Sequence, residues 1–313
     1  MSWLIWLHQL LLVFLLFSQL VVITTCSSSS WSSPTSARHT CLEDQRFALL
    51  QFKKTFTAID FSFLECESDS HPKMMFWNES TDCCSWEGVT CNWLNGHVIG
   101  LDLSCSALHG TIEANSTLFH LHQLQRLNLA WNDFKFSRIS SEFGSFASLT
   151  HLNLSNSLFA GRVPLEICHL SKLISLDLSL FHYEVRHEQH TFNMLLQNLT
   201  QLRELHLDTL DIPSPLAHAL LLNLSSLTSL SLASCQQHGK FPESIFHLPN
   251  LRKLNVQDNL GIVFFTILKP RIVCTSLSAT FRGPFQLLLG TLHKSPIWTS
   301  GLTVSAVKSL HQF

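Results

Sequence analysis

One nine-residue line recurs seven times along the chain. It reads VIGLDLSCS from Val98, LQRLNLAWN from Leu124, LTHLNLSNS from Leu149, LISLDLSLF from Leu173, LRELHLDTL from Leu202, LTSLSLASC from Leu227 and LRKLNVQDN from Leu251. By subtraction of those numbers, successive starts lie 26, 25, 24, 29, 25 and 24 residues apart. A single LxxLxL line would also suit an amphipathic helix, but a near-fixed spacing sustained over the series does not. One unit of this size cannot bury its own leucines. The units must therefore stack, each giving one short parallel strand whose leucines point inward. At a strand spacing of about 4.8 Å, such a stack presents a surface roughly 30 Å long, which suits a peptide or protein epitope.

A period of this length is that of a leucine-rich repeat, so the expected fold is an α/β solenoid with a parallel concave sheet, its repeats spanning 98–261. The connecting segments LHG (Leu108 to Gly110), FAGRVP (Phe159 to Pro164) and QHGKFP (Gln237 to Pro242) resemble the plant-type LxGxIP repeat. Glycine there supplies a tight turn after the strand, and proline limits backbone freedom on the way to the convex side. The ninth position of each line should be Asn, whose amide can satisfy the backbone groups of the turn. Asn132 and Asn259 fit, Ser106, Ser157 and Cys235 are small substitutes, and Phe181 and Leu210 break the pattern. The repeat from Leu173 is the longest and carries the charged insert HYEVRHEQH, His182 to His190, expected as a loop bulging from the solenoid. It reads equally as a specificity loop or a decayed repeat.

A solenoid end exposes apolar surface and needs a cover. Leu42, Leu49, Phe52 and Phe56 fall at helical spacing, with Glu43 and Asp44 at the start and Lys53 and Lys54 near the end, so 41–97 is expected to be a helical N-terminal cap. Adjacent cysteines bridge each other only with strain, which leaves two of the three pairings among Cys41, Cys83, Cys84 and Cys91. Ten cysteines point to an oxidising compartment. The apolar run from Trp3 to Ile23 reads as a secretory signal, residues 1–26, followed by a polar linker, 27–40; a retained anchor is the alternative. Five N-x-S/T triplets, at Asn78, Asn115, Asn153, Asn198 and Asn223, are candidate glycosylation sites. Asn153 falls within a strand, where a sugar would cover part of the concave face.

The segments CLEDQRFALLQFKK, WNESTDCCSWEGVTC and GHVIGLDLSCSALHG resemble the N-terminal cap of plant leucine-rich-repeat receptor-like proteins. NSTLFHLHQLQRLNLAWNDF, FASLTHLNLSNSLFAGRVPLEICHLSKL and LLQNLTQLRELHL resemble the Cf class of disease-resistance receptor-like proteins of tomato, and the likeness runs from about Cys41 to Gly261. It implies bridges Cys41–Cys83 and Cys84–Cys91, with Trp77 and Trp86 packed against the first repeat. Cys66 and Cys105 remain near the cap as a candidate third pair, while Cys168 and Cys274 have no evident partner. The resemblance further implies the N-terminal part of an extracellular receptor region, in the apoplast or on the outer face of the plasma membrane. Such a region binds a protein or peptide ligand and signals through a partner receptor kinase. Family members carry many more repeats, a C-terminal cap and a membrane span. The sequence shows none of these, so a truncated form is expected, its activity in question. From Ile262 to Phe313 the leucine line is absent, and this tail is expected to be disordered or aberrant rather than a continuation of the solenoid.

Other classes are disfavoured. A formal charge of −2 and a pI near 6.8 offer no basic field for nucleic acid. The 18 His are scattered, without HExxH or paired CxxC spacing, so neither metal nor cofactor is expected. No nucleophile elbow, phosphate-cradling loop or kinase signature occurs, which argues against an enzyme. Asp102, His151, Asp177, Glu204, His206 and Asp208 read as a polar recognition surface rather than an acid–base set. The contact candidates are Gln125, Arg126, Asn128 and Trp131, then Thr150 and His151, then Arg203, Glu204, His206 and Asp208, then Arg252, Lys253 and Asn255, with the aromatic Trp131 read either as an interface anchor or as packed across to the neighbouring strand. The alternative function is a soluble secreted inhibitor of microbial wall-degrading enzymes, resembling polygalacturonase-inhibiting proteins. Those keep a longer regular array and a C-terminal cysteine cap, so the receptor reading is preferred.

Overall fold

The computed structural model describes residues 40–58, 66, 71–179, 185–186, 189–210, 223–235, 238–240, 245, 247–259, 261–264, 273–274 and 280–281. The expected signal segment, the linker up to His39 and most of the tail lie outside the described residues.

The cap opens with helix α1, Glu43–Lys54, acidic in its first turn and basic in its last. Ala48, Leu49 and Phe52 are buried on one face, Leu50 is buried beside it, and beyond the helix Phe56 packs edge-on to Phe52, ring centroids 4.9 Å apart. One buried polar residue interrupts this face: Gln45 Oε1 accepts the Val98 amide at 2.7 Å, and its Nε2 meets His97 Nδ1 at 2.9 Å. That pair ties the helix to the first repeat. Disulfides join Cys41 to Cys83, Cys84 to Cys91 and Cys66 to Cys105. The four sulfurs of the first two bridges lie within 4.8 Å of one another, but both pairs are oxidised, which leaves no thiolate for a metal. Trp77 and Trp86 stack at 5.1 Å within the same core as the first-repeat leucines.

The strands run β1 Thr57–Ala58, β2 Val89–Cys91, β3 Val98–Asp102, β4 Leu108–His109, β5 Arg126–Asn128, β6 His151–Asn153, β7 Gly161–Arg162, β8 Ser175–Asp177, β9 Val185–Arg186, β10 Glu204–His206, β11 Ser229–Ser231, β12 His238–Lys240, β13 Lys253–Asn255, β14 Gly261–Phe264, β15 Val273–Cys274 and β16 Thr280–Phe281. Among the described residues the main sheet has nine strands in the order β15-β13-β11-β10-β8-β6-β5-β3-β2, with β2 and β3 antiparallel and every other neighbour parallel. The register aligns Leu101, Leu127, Leu152, Leu176, Leu205, Leu230 and Leu254 across it, all buried. Aromatic rings fill the space behind the leucines, with Phe134 stacked on Phe159 at 4.6 Å and Phe119 against Phe143 and Phe146.

The turn closing each strand follows a rule. The eighth residue of each described line, Cys105, Trp131, Asn156, Thr209, Ser234 and Asp258, has φ between 49 and 61°. This left-handed step swings the ninth residue inward. There, Asn132 Nδ2 donates to the carbonyls of Leu103, Leu129 and Ala130, and its Oδ1 accepts the amides of Ser106 and Leu108. Asn259 repeats the pattern on Leu232, Val256 and Gln257. Ser157 Oγ donates to Leu129 and Ser155 carbonyls, and Cys235 Sγ to those of Leu207 and Ala233 at 3.0 and 3.4 Å. Burial pushes the Cys235 thiol far up, so it keeps the proton it donates. Leu210 sits buried at this position with no polar group to offer, and Phe181 lies outside the described residues.

The glycine motifs do more than turn. LHG contains β4, AGR contains β7 and HGK is β12, and these short strands pair behind the main sheet: β4 with β1, β7 with β9, and β14 between β12 and β16. Gly110 is required by a close approach, since a Cβ there would lie 2.8 Å from Phe56 Cδ1 and 2.9 Å from the Thr55 carbonyl oxygen. The long repeat also differs from a plain loop. Its insert includes β9 and leads into helix α2, Gln189–Asn198, which buries Phe192, Leu195 and Leu196. Strand β8 still pairs directly with β10, so the extra residues lengthen the convex side without breaking the sheet. Cys168, a buried thiol raised to about 11 by burial, donates to the Thr191 carbonyl of α2. Strand pairing also continues past Gly261, where an end to the solenoid is expected. Val273 lies opposite Lys253 and Cys274 opposite Leu254, while Thr280 and Phe281 pair with Val263 and Phe264. Backbone donors on an open parallel edge accept an extended segment without any leucine line.

Candidate recognition surface

Positions three and five of each line alternate with the buried leucines and form two rows along the concave face. One row runs Arg126, His151, Ser175, Glu204, Ser229 and Lys253; the other runs Asp102, Asn128, Asn153, Asp177, His206, Ser231 and Asn255. Gln125, Arg203 and Arg252 stand one residue ahead of their strands, and all three are exposed.

The two rows differ in what their side chains do. In the fifth-position row the carboxylates and amides close turns. Asp102, Asn128, Asn153, Asp177 and Asn255 each accept the amide two residues on, from Ser104, Ala130, Ser155, Ser179 and Gln257. Where this row holds His206 and Ser231, the neighbouring repeat compensates. Ser179 Oγ accepts the Asp208 amide, and Asp208 Oδ1 accepts the Ala233 amide at 2.7 Å and the Ser231 hydroxyl at 2.6 Å. Asp208 therefore lies beyond β10 and serves a turn, and burial raises its carboxyl above the ordinary value. Asn128 has the same kind of task. Trp131 is displaced further: the left-handed turn after β5 takes it out of the strand alternation and leaves it half-buried. The third-position row keeps its charges outward, with Arg126, Glu204 and Lys253 all exposed.

Ser175, Ser229 and Lys73, which the sequence did not single out, also shape the face. Ser175 Oγ donates to Glu204 Oε2 at 3.0 Å, and Ser229 Oγ meets His206 Nε2 at 3.1 Å. Asp177 Oδ2, 3.7 Å from His206 Nδ1, raises that imidazole above its usual value against the opposing effect of burial. Burial, followed by the Arg126 charge, lowers His151. Asp177 and Ser175 were legible from register alone, since they share positions with Asn128 and Arg126. Lys73 was not: from the cap it reaches Asp102 Oδ1 at 3.0 Å and Ser104 Oγ at 3.2 Å, closing the first position of the face. Burial alone would raise the Asp102 carboxyl, but hydrogen bonds from Ser104 and Lys73 hold it below its usual value.

Of the five triplets, Asn78, Asn115, Asn198 and Asn223 are exposed, whereas Asn153 is half-buried within β6. Both Asn78 and Asn153 accept from the amide and hydroxyl of the serine two residues on.

Residues 42–92 match the leucine rich repeat N-terminal domain. The chain is 44% identical over 232 residues to Receptor-like protein Cf-9 of Solanum pimpinellifolium, an overlap of 72% of this chain and 26% of that protein. It is 39% identical over 256 residues to Receptor-like protein 6 of Arabidopsis thaliana, covering 78% and 26%. The chain is similar to Cf-type plant receptor-like proteins across its cap and repeats. It spans about a quarter of the length of these receptor-like relatives, 26% in each case. Among solved structures, PEPR1-AtPEP1 superposes with a TM-score of 0.56 at 22% identity, over 77% of this chain and 36% of that one. Pollen Receptor Kinase 3 does so at 0.51 and 22%, over 68% and 94%. Both share the leucine-rich-repeat fold. Among the described residues no helix is long and apolar enough to cross a membrane.

Proposed function

We propose that this chain is the extracellular recognition region of a plant immune receptor-like protein. It binds a protein or peptide on its concave face, performs no catalysis, and passes the signal to the cytosol through a partner receptor kinase. Secretion to the apoplast, or display on the outer face of the plasma membrane, accompanies this role, and glycans at the four exposed triplets fit the same route. One observation carries the reading. Over six parallel strands, β5 to β13, the third-position side chains project from a rigid sheet while the fifth-position carboxylates and amides are engaged in turns. That leaves a polar contact surface on a pre-ordered scaffold rather than a reactive constellation. Asp102, Asp177 and Asp208 each hold a turn amide, which leaves them poor candidates for acid–base chemistry.

A glycan wedge tests the reading. Arg126→Asn with Asn128→Thr creates an N-glycan acceptor on β5. Peptides selected from a random library on the secreted chain should lose binding to this variant and keep it with a new acceptor on the convex side. Binding that survives the concave glycan would reject the assignment.

A further inference from the structure

The outward charges on the concave face fall into bands. Strand β5 contributes the cation Arg126, and β13 with the residue before it contributes Arg252 and Lys253. Between them, the third-position row carries the exposed carboxylate of Glu204 on β10, with Arg203 one residue ahead of it, while Asp177 and Asp208 are held in turns. Beyond β5, the Asp102 carboxylate is already paired with Lys73. Among the described residues the ion pairs do not include Arg126, Arg203, Arg252 or Lys253. The order along the stack is thus basic, acidic, basic, and the intervening β6 and β11 present His151 and Ser229.

We infer that the ligand of this face is an extended peptide segment with acidic side chains at both ends and a basic side chain at its centre. This rests on the recognition reading of the concave face and specifies the chemistry it selects. Geometry sets the spacing. From β5 to β13 the sheet takes five strand steps of about 4.8 Å, or about 24 Å, the span of about seven residues of an extended chain laid along the stack. The midpoint falls between β8 and β10, so the basic side chain sits three to four residues, about 12 Å, from either acidic one. Such a segment meets an opposite charge in every band. A segment with the inverse order meets like charges throughout, and like-charge juxtaposition is what excludes wrong partners. Ser175 steadies Glu204 in the central band through its hydroxyl, which fixes where the basic side chain is received.

The test selects random linear peptides on the secreted, glycosylated chain near neutral pH at low salt. In parallel it uses the variant Arg126→Glu, Glu204→Lys, Lys253→Glu, whose secretion and circular dichroism report that it folds. The wild-type chain should enrich acidic–basic–acidic sequences, which bind at least about tenfold tighter than the same residues in scrambled order. The variant should enrich the inverse order. Binders that depend on concave residues but show no charge order, or the same order on both chains, would overturn the inference and leave the surface standing. Binders indifferent to every concave substitution would reject the surface itself, and this inference with it.

Discussion

Replacing Asn132 with alanine should cost this chain several kcal/mol, far more than a typical asparagine. The side chain is fully buried and makes two accepted and three donated contacts, at 3.3, 3.0, 2.8, 2.9 and 3.2 Å. After truncation the Leu129 carbonyl keeps the Ser157 hydroxyl and the Ala130 carbonyl keeps the Cys105 amide. The amides of Ser106 and Leu108 and the carbonyl of Leu103 lose the partner that Asn132 provided. At about 1–2 kcal/mol for each buried group left unsatisfied, the loss is about 3–6 kcal/mol, a large part of the stability of a typical domain. Asn128→Ala is the control, because Asn128 accepts a single amide on a half-buried turn and its removal should cost about 0.5–1.5 kcal/mol. Urea unfolding of the secreted chain, followed by far-ultraviolet circular dichroism and tryptophan fluorescence, measures both. An Asn132→Ala loss no larger than that of Asn128→Ala would refute the claim that the ninth position locks one repeat to the next.

Further outcomes are expected. Cys84→Ser should destabilise the cap by about 2–4 kcal/mol, and peptide mapping without reductant should recover Cys84 with Cys91; free thiols at Cys83, Cys84 and Cys91 together would contradict the framework. Glycosidase treatment of plant-secreted protein should increase gel mobility, with modification mapped to the exposed Asn78, Asn115, Asn198 and Asn223; an unchanged mobility would argue against the secretory route. His206 is raised above its ordinary 6.5 by Asp177, so its contribution to stability is fully present below about 6.5 and is lost as pH rises through the higher folded value. The stability gap between wild type and His206→Gln should therefore shrink between pH 5.5 and pH 8; a gap that widens would reverse the assigned sign.

Much of this architecture could be read from the leucines, because three buried positions per line at fixed spacing admit one stacking solution. The turn rule was only half visible. Asn132 and Asn259 advertise it, but the left-handed eighth residue is occupied by Cys, Trp, Asn, Thr, Ser and Asp, with no glycine to mark it. That same step removes Trp131 from the alternation that made it look like an outward anchor. Helix α2 had a signal that the charged insert obscured: Phe192, Leu195, Leu196 and Leu199 recur at helical spacing, and all are buried. The short strands behind the main sheet could not be read, since a strand of two to four residues is too short to show a period and exists only through its partner in a neighbouring segment. Lys73 on Asp102 is equally silent, a contact between residues 29 apart that only the folded cap creates. Asp208 shows why charge alone misleads. It replaces an acceptor missing at Ser231, and that substitution is visible only when neighbouring repeats are laid side by side.

The central claim is that recognition occurs on the outward face of the parallel sheet. Hydrogen–deuterium exchange of the secreted chain, with and without a library-selected peptide, tests it most directly, because bound and free states are compared segment by segment. The account requires new protection in peptides covering β5, β6, β8, β10, β11 and β13 and the residues just before them, with α1, α2 and the strands behind the sheet unchanged. Protection confined to the cap or to the convex side, with the concave strands exchanging as before, would contradict it.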